Sequence, residues 1–97
     1  MKTGACKRRV AVTGIGVVSP NGLGLAQFWN ATRTGMSGID TISLFDARRL
    51  PCRIAGEVKD FCAEKYFAPN DIKRVGRVVP FAVAATREAI QDAQMPI

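Results

Sequence analysis

The sequence contains no histidine. That absence removes Ser–His and Cys–His nucleophilic pairs and every His-ligated metal centre from the chemistry these residues can carry alone. Cysteine is scarce and odd in number: Cys6, Cys52 and Cys62, with no CxxC spacing among them. They cannot all pair within the chain, no zinc site is expected, and reduced thiols of a cytosolic protein are the expectation. Aromatics are only 7% of residues and are not interleaved with the basic ones, unlike a nucleic-acid stacking surface. Long apolar runs are missing too. Val10–Val18 is broken by Thr13, Gly14 and Gly16, and Val78–Ala85 by Pro80. Both fall short of the roughly 20 residues a membrane helix needs. Lys7-Arg8-Arg9 before the first run faintly mimics a secretory signal, but two glycines interrupt it. Ser19-Pro20-Asn21-Gly22 then stands where a cleavage site belongs, so no signal is expected. There are no internal repeats and no low-complexity tract.

What is present is globular in character: 97 residues, 47% hydrophobic and 23% charged. Area scaling for a chain of this mass gives burial of about 64%, enough for one core layer but marginal. Fourteen Lys+Arg against eight Asp+Glu leave a net charge of +6. Nine of the cations fall into three short groups: Lys7/Arg8/Arg9, Arg48/Arg49/Arg53 and Lys73/Arg74/Arg77. Each group reads either as solvated surface or as a dock for an acidic partner.

Residues 1–7 read as a loose leader. Arg9–Val18, rich in Val and small residues, has the pattern of a strand buried on both faces. Ser19-Pro20-Asn21-Gly22 is a strong turn signal. An amphipathic helix follows over about Gly24–Arg33, with Leu25, Phe28, Trp29 and Thr32 on one face. Gly35 suits its C-terminal cap, whereas Gly24 offers no side-chain acceptor at the start. Gly35–Arg53 is loop-rich, Arg53–Val58 can form a strand, and Lys59–Gly76 is polar and broken. Pro69-Asn70-Asp71 is a plausible helix start within that stretch. A longer helix runs to about Ala93, with Val79, Val83, Thr86, Ile90 and Ala93 on one face. Pro80 fits only if that helix begins near Val79 or if its first turn is distorted. One strand, two helices and a hairpin-like segment do not close a sheet, so the chain reads as part of a fold.

Thr13-Gly14-Ile15-Gly16 after a strand invites a dinucleotide-binding reading. GxGxxG requires glycine where Ser19 stands, and a turn rather than a helix follows. Glycines that relieve crowding beside a buried strand are the better account. Cys52 and Cys62 have no local base and read as packed or incidentally exposed thiols. Glu57, Asp60 and Glu64 lie in a polar stretch with nothing to force their pKa values apart, and read as solvated charges. Lys73 and Arg77 are four apart and would share a helical face, as an exposed basic turn or as an anionic-partner site.

Several phrases together are more specific than any one. Arg8-Arg9-Val10-Ala11-Val12-Thr13-Gly14-Ile15-Gly16-Val17-Val18-Ser19-Pro20 resembles the opening strand of the β-ketoacyl-acyl carrier protein synthases. The likeness continues through Gly22, Phe28-Trp29, Ser37-Gly38-Ile39, Phe45-Asp46 and Arg53-Ile54-Ala55-Gly56-Glu57-Val58. It ends with Arg87-Glu88-Ala89 and Asp92-Ala93, in collinear order over about residues 8–95.

The resemblance implies an α/β chain, the N-terminal part of a thiolase-like αβαβα layered fold. Residues 8–97 would be an incomplete segment of a synthase domain. It also implies a decarboxylative Claisen condensation of an acyl thioester with malonyl-carrier protein. In the family a Cys accepts the acyl group and two His assist decarboxylation, all beyond the matched region. No cysteine here aligns with that nucleophile. No catalytic, cofactor-binding or metal-binding residue is therefore expected in this chain, and no cofactor. One role carries over: a basic turn before the long helix helps dock the acidic acyl carrier protein. Lys73 and Arg74 match that turn, and Arg77 less securely. The other implied partner is the remainder of the ketosynthase or a companion ketosynthase chain, as a homo- or heterodimer. Three departures stand out: Val75-Gly76-Arg77 where the family often has Met-Asp-Arg, Pro80 within the helix, and Leu23-Gly24 at the first helix start. They suit a specialised polyketide synthase or a non-catalytic, chain-length-factor-like subunit as well as a fatty-acid enzyme. A basic nucleic-acid module is the weaker rival.

Overall fold

The computed structural model describes residues 7–96. The leader reading of residues 1–7 falls, apart from Lys7, outside the described residues, as does Cys6. Two short antiparallel pairs and three helices follow in chain order. Strand β1 (Val18–Ser19) pairs with β2 (Gly22–Leu23), with Val18 opposite Leu23. Pro20 and Asn21 form the tight turn between them, and Ser19 Oγ closes it by donating to the Gly22 carbonyl at 2.9 Å.

Helix α1 (Leu25–Thr34) then runs to Gly35, which adopts the left-handed conformation (φ 78°) of a C-cap. The Met36 N–H bonds back to the Ala31 carbonyl at 2.8 Å and completes the closure. Strand β3 (Ile39–Thr41) pairs antiparallel with β4 (Ile54–Gly56), Asp40 opposite Ala55. A 3-10 turn (Ala63–Lys65), helix α2 (Pro69–Ile72) and helix α3 (Val78–Asp92) complete the chain. Pro80 is the third residue of α3. Its missing N–H would have no intrahelical partner there, and the first i to i−4 bond is the next one, Phe81 N–H to the Arg77 carbonyl.

Residues 7–17 do not form the expected strand. Only Val18–Ser19 of the Arg9–Val18 run has a strand partner, and Val10 and Val12 are 90% and 81% exposed. A ladder needs a neighbour on at least one edge, and here carboxylates take its place. Asp92 accepts the Ile15 N–H at 3.0 Å and Glu88 accepts the Val17 N–H at 2.8 Å, both from α3.

Gly14 and Gly16 let this contact form. A Cβ on Gly16 would stand 1.8 Å from the Ala85 carbonyl oxygen, and one on Gly14 would stand 2.2 Å from that of Ala89. The glycines relieve crowding, as expected, but against the backbone of α3 and not around a buried strand. Glu88 has a second task. Its other oxygen accepts the Leu25 N–H at 2.8 Å and so caps α1, whose own N-cap residue, Gly24, has no acceptor.

The packed face of α3 is rotated from the one the spacing predicts. Pro80 and Ala84 are its buried residues, while Val79 and Thr86 are exposed. The neighbour is a bare backbone, so small residues and carboxylates face it rather than the bulkiest apolar side chains. Trp29, expected to anchor α1, is 59% exposed and lines an open apolar cleft with Ile15, Val17, Leu25 and Phe28. The buried apolar residues among those described are small: Ala31, Ala47, Pro80 and Ala84. The radius of gyration is 18.0 Å, against about 12.5 Å for a compact domain of this length. These elements form a shell with one side still uncovered.

Candidate functional site

The basic turn joins α2 to α3. Pro69 starts α2 with its ring at a position that needs no N–H. The helix stops at Ile72, and Arg74 N–H and Val75 N–H bond back to the Asp71 and Ile72 carbonyls at 3.0 and 3.4 Å. Lys73 and Arg74 project from this turn and are exposed, and Gly76 has open space around its Cα. The ion pairs among the described residues are Arg48–Asp46 and Lys59–Asp40, so neither Lys73 nor Arg74 has a carboxylate partner there. The turn precedes the N-terminus of α3, whose dipole adds positive potential.

Arg77 behaves differently from its two neighbours. It is the N-cap residue of α3, beyond the end of α2, so the helical face expected to carry Lys73 with Arg77 does not exist. The turn breaks that periodicity at Lys73. Arg77 Nη2 donates to the Val58 carbonyl at 3.1 Å, and its guanidinium lies 5.0 Å from the centre of the Phe81 ring. Phe81 meets Phe61 edge-to-face at 4.9 Å, Phe61 stacks on Tyr66 at 5.8 Å, and the Arg87 guanidinium covers Tyr66 at 5.3 Å. Sequence reading missed this cluster because its members come from three separate segments.

The remaining candidates sort clearly. Glu57 is not a solvated charge: it is 8% exposed. One oxygen accepts the Ser43 N–H at 3.0 Å and its hydroxyl at 2.9 Å, and the other accepts the Leu44 N–H at 3.0 Å. These bonds, the Ser43 N–H foremost, hold its carboxyl below the usual range against the opposing effect of burial. They pin the loop that leaves β3, a structural rather than catalytic arrangement. Asp60 takes a positive φ of 63° and is exposed. Cys62 Sγ donates to Glu64 Oε2 at 3.0 Å, which lowers the Glu64 pKa.

Cys52 and Cys62 are both free and exposed. Among the described residues no group of three or more His, Cys, Asp or Glu is placed to hold a metal. No described helix is long and apolar enough to cross a membrane. Glu88 and Asp92 were also missed as structural residues. Their i, i+4 spacing beside Ala85 and Ala89 is the signal that could have marked a carboxylate pair facing the glycine-bearing run.

A family model described as beta-ketoacyl synthase, N-terminal domain, matches residues 7–97. A 3-oxoacyl-[acyl-carrier-protein] synthase 2 from a Synechocystis species is 43% identical over 91 residues, covering 94% of this chain and 22% of that protein. A granaticin polyketide putative beta-ketoacyl synthase 1 from Streptomyces violaceoruber is 41% identical over 85 residues, covering 88% of this chain and 20% of that protein. The solved ishigamide ketosynthase/chain length factor superposes with a TM-score of 0.82 at 35% identity. That match covers 94% of this chain and 23% of the solved chain. The chain thus spans about a fifth of the length of the curated relatives it matches.

Proposed function

Since the chain belongs to the β-ketoacyl synthase family, as an α/β segment of the thiolase-like N-terminal domain, we propose that it is the scaffold and carrier-docking portion of a condensing enzyme. The intact protein joins an acyl thioester to a malonyl thioester on acyl carrier protein. Carbon dioxide leaves, and the resulting carbanion displaces the thiolate of the acyl-enzyme. This segment brings no histidine to that chemistry. Its part is to present the carboxylate-held Gly14–Val17 run, helix α3 and the basic turn.

The observation that carries the docking role is the pair of exposed cations, Lys73 and Arg74, without carboxylate partners among the described residues. Cations with no internal partner keep their full field for an acidic visitor. That field acts on encounter rate and salt dependence more than on final affinity. The test is charge reversal. Lys73→Glu with Arg74→Glu in the intact enzyme should raise KM for carrier-borne substrate about tenfold or more, with much smaller change for a small soluble thioester. Equal loss on both substrates would refute docking.

A second reading is favoured by one finding, the structural match to a ketosynthase/chain length factor. In that reading the intact protein is a non-catalytic subunit that pairs with a ketosynthase chain. A cysteine and two histidines elsewhere in the same polypeptide would decide for the enzyme, and their absence for the subunit.

A further inference from the structure

We propose that Arg77 is a positioning residue, a clamp that holds the Lys73–Gly76 turn in its docking attitude rather than a third docking cation. The inference rests on the docking reading above. Among the described residues, the bond from Arg77 to the Val58 carbonyl is the one side-chain hydrogen bond that joins residues 73–77 to another element. The other hydrogen bonds of the turn are local backbone ones.

Gly76, immediately before Arg77, has no side chain to pack, and a Cβ there would meet nothing within 4 Å. Without the clamp, the turn would hinge at that glycine. With it, the turn is tied to the strand end after β4 and, through the face of Phe81, to the Phe61–Tyr66 stack.

The placement of the charge supports the same conclusion. A cation at a helix N-cap opposes the macrodipole, and the first turn of α3 has no acidic residue to offset it. Arginine is therefore not there to help the helix start. What it supplies is a planar group that lies on a ring and donates in its own plane at once. Lysine cannot do both.

The test uses the intact protein and a phosphopantetheinylated acyl carrier protein, with Kd read by titration. Arg77→Lys keeps the charge but loses the planar contact, and Phe81→Leu removes the ring. Each should weaken carrier affinity about threefold to tenfold, and the double variant no more than either alone. Phe81→Tyr, which keeps the ring face, should bind normally. In the single variants the Arg74 and Val75 amides should exchange hydrogen faster, because the bonds of the turn open more often.

Normal affinity in Arg77→Lys, or losses that multiply in the double variant, would overturn the clamp and return Arg77 to the docking cations. Should Phe81→Leu fail to fold, Arg77→Lys against Phe81→Tyr still decides. Lys73→Glu with Arg74→Glu separates the two ideas. If that variant binds carrier normally, docking at this turn is wrong and the clamp falls with it. If it loses binding while Arg77→Lys and Phe81→Leu do not, only the clamp is wrong.

Discussion

Replacing Gly16 with alanine tests the packing that organises the chain. A Cβ at this position would lie 1.8 Å from the Ala85 carbonyl oxygen, 2.7 Å from its carbon and 2.9 Å from the Ala89 nitrogen. All three are backbone atoms inside a helix and cannot swing aside. Reaching even a 3.0 Å separation from the oxygen requires 1.2 Å of movement between chain and helix. The Val17 N–H to Glu88 bond, now 2.8 Å, cannot survive that shift in place.

Overpacking costs about 1–3 kcal/mol, and a lost hydrogen bond to a charged group costs about 1.5–3 kcal/mol. The expected destabilisation is therefore about 2.5–6 kcal/mol, at the upper end of single substitutions. The control is Gly76→Ala, where nothing lies within 4 Å. It should be neutral or stabilising by about 0.4–1 kcal/mol through the unfolded state. Urea unfolding of the intact protein measures both, and hydrogen exchange at the Ile15 and Val17 amides should show protection lost in Gly16→Ala alone. A Gly16→Ala effect within about 0.5 kcal/mol of wild type, or an equal loss in Gly76→Ala, would refute the close-approach account.

Two further outcomes can be checked. The Glu57 carboxyl titrates below its ordinary value in the folded chain. Its contribution to stability is thus complete above the unfolded pKa of about 4.3 and is lost as pH falls through the lower folded value. Glu57→Gln should be less stable near neutrality and show a flatter acid limb in unfolding experiments. An acid limb identical to wild type would show that this carboxylate does not hold the Ser43–Leu44 loop. Produced as an isolated 97-residue segment, the chain should bind a hydrophobic dye and lack a cooperative melt. Trp29, Phe45 and several aliphatic side chains stay exposed, and the run before β1 has no lateral partner. A sharp monomeric transition would overturn the reading of this shell as part of a larger layer.

Local chemistry was legible in the sequence, and long-range pairing was not. Gly35 marked the end of α1, Pro69 the start of α2, and Pro80 the start of α3, because each acts through its own backbone or that of near neighbours. The Arg9–Val18 strand could not be judged the same way. Its composition states a preference, but a ladder requires a partner, and the described residues offer carboxylates from α3 instead. Glu57 was misjudged for a related reason: the charged Lys59 and Asp60 that follow suggest solvent, and nothing local reveals the two backbone N–H groups it meets across the β3–β4 hairpin. In the basic turn, the cations were readable as a group. Their division, among the described residues, into two without a partner and one engaged depended on Val58 and Phe81, which spacing does not reveal.

The exposed run that contains Val10 and Val12 has a consequence for the nascent chain. It is extended, β-branched and laterally open, the kind of surface that templates intermolecular cross-strand association. Lys7, Arg8 and Arg9 stand directly before it. Stacking two such runs in register would superimpose three like charges on three others, so the cations act as gatekeepers against self-association. During synthesis, that repulsion keeps newly made copies apart while the run has no lateral partner.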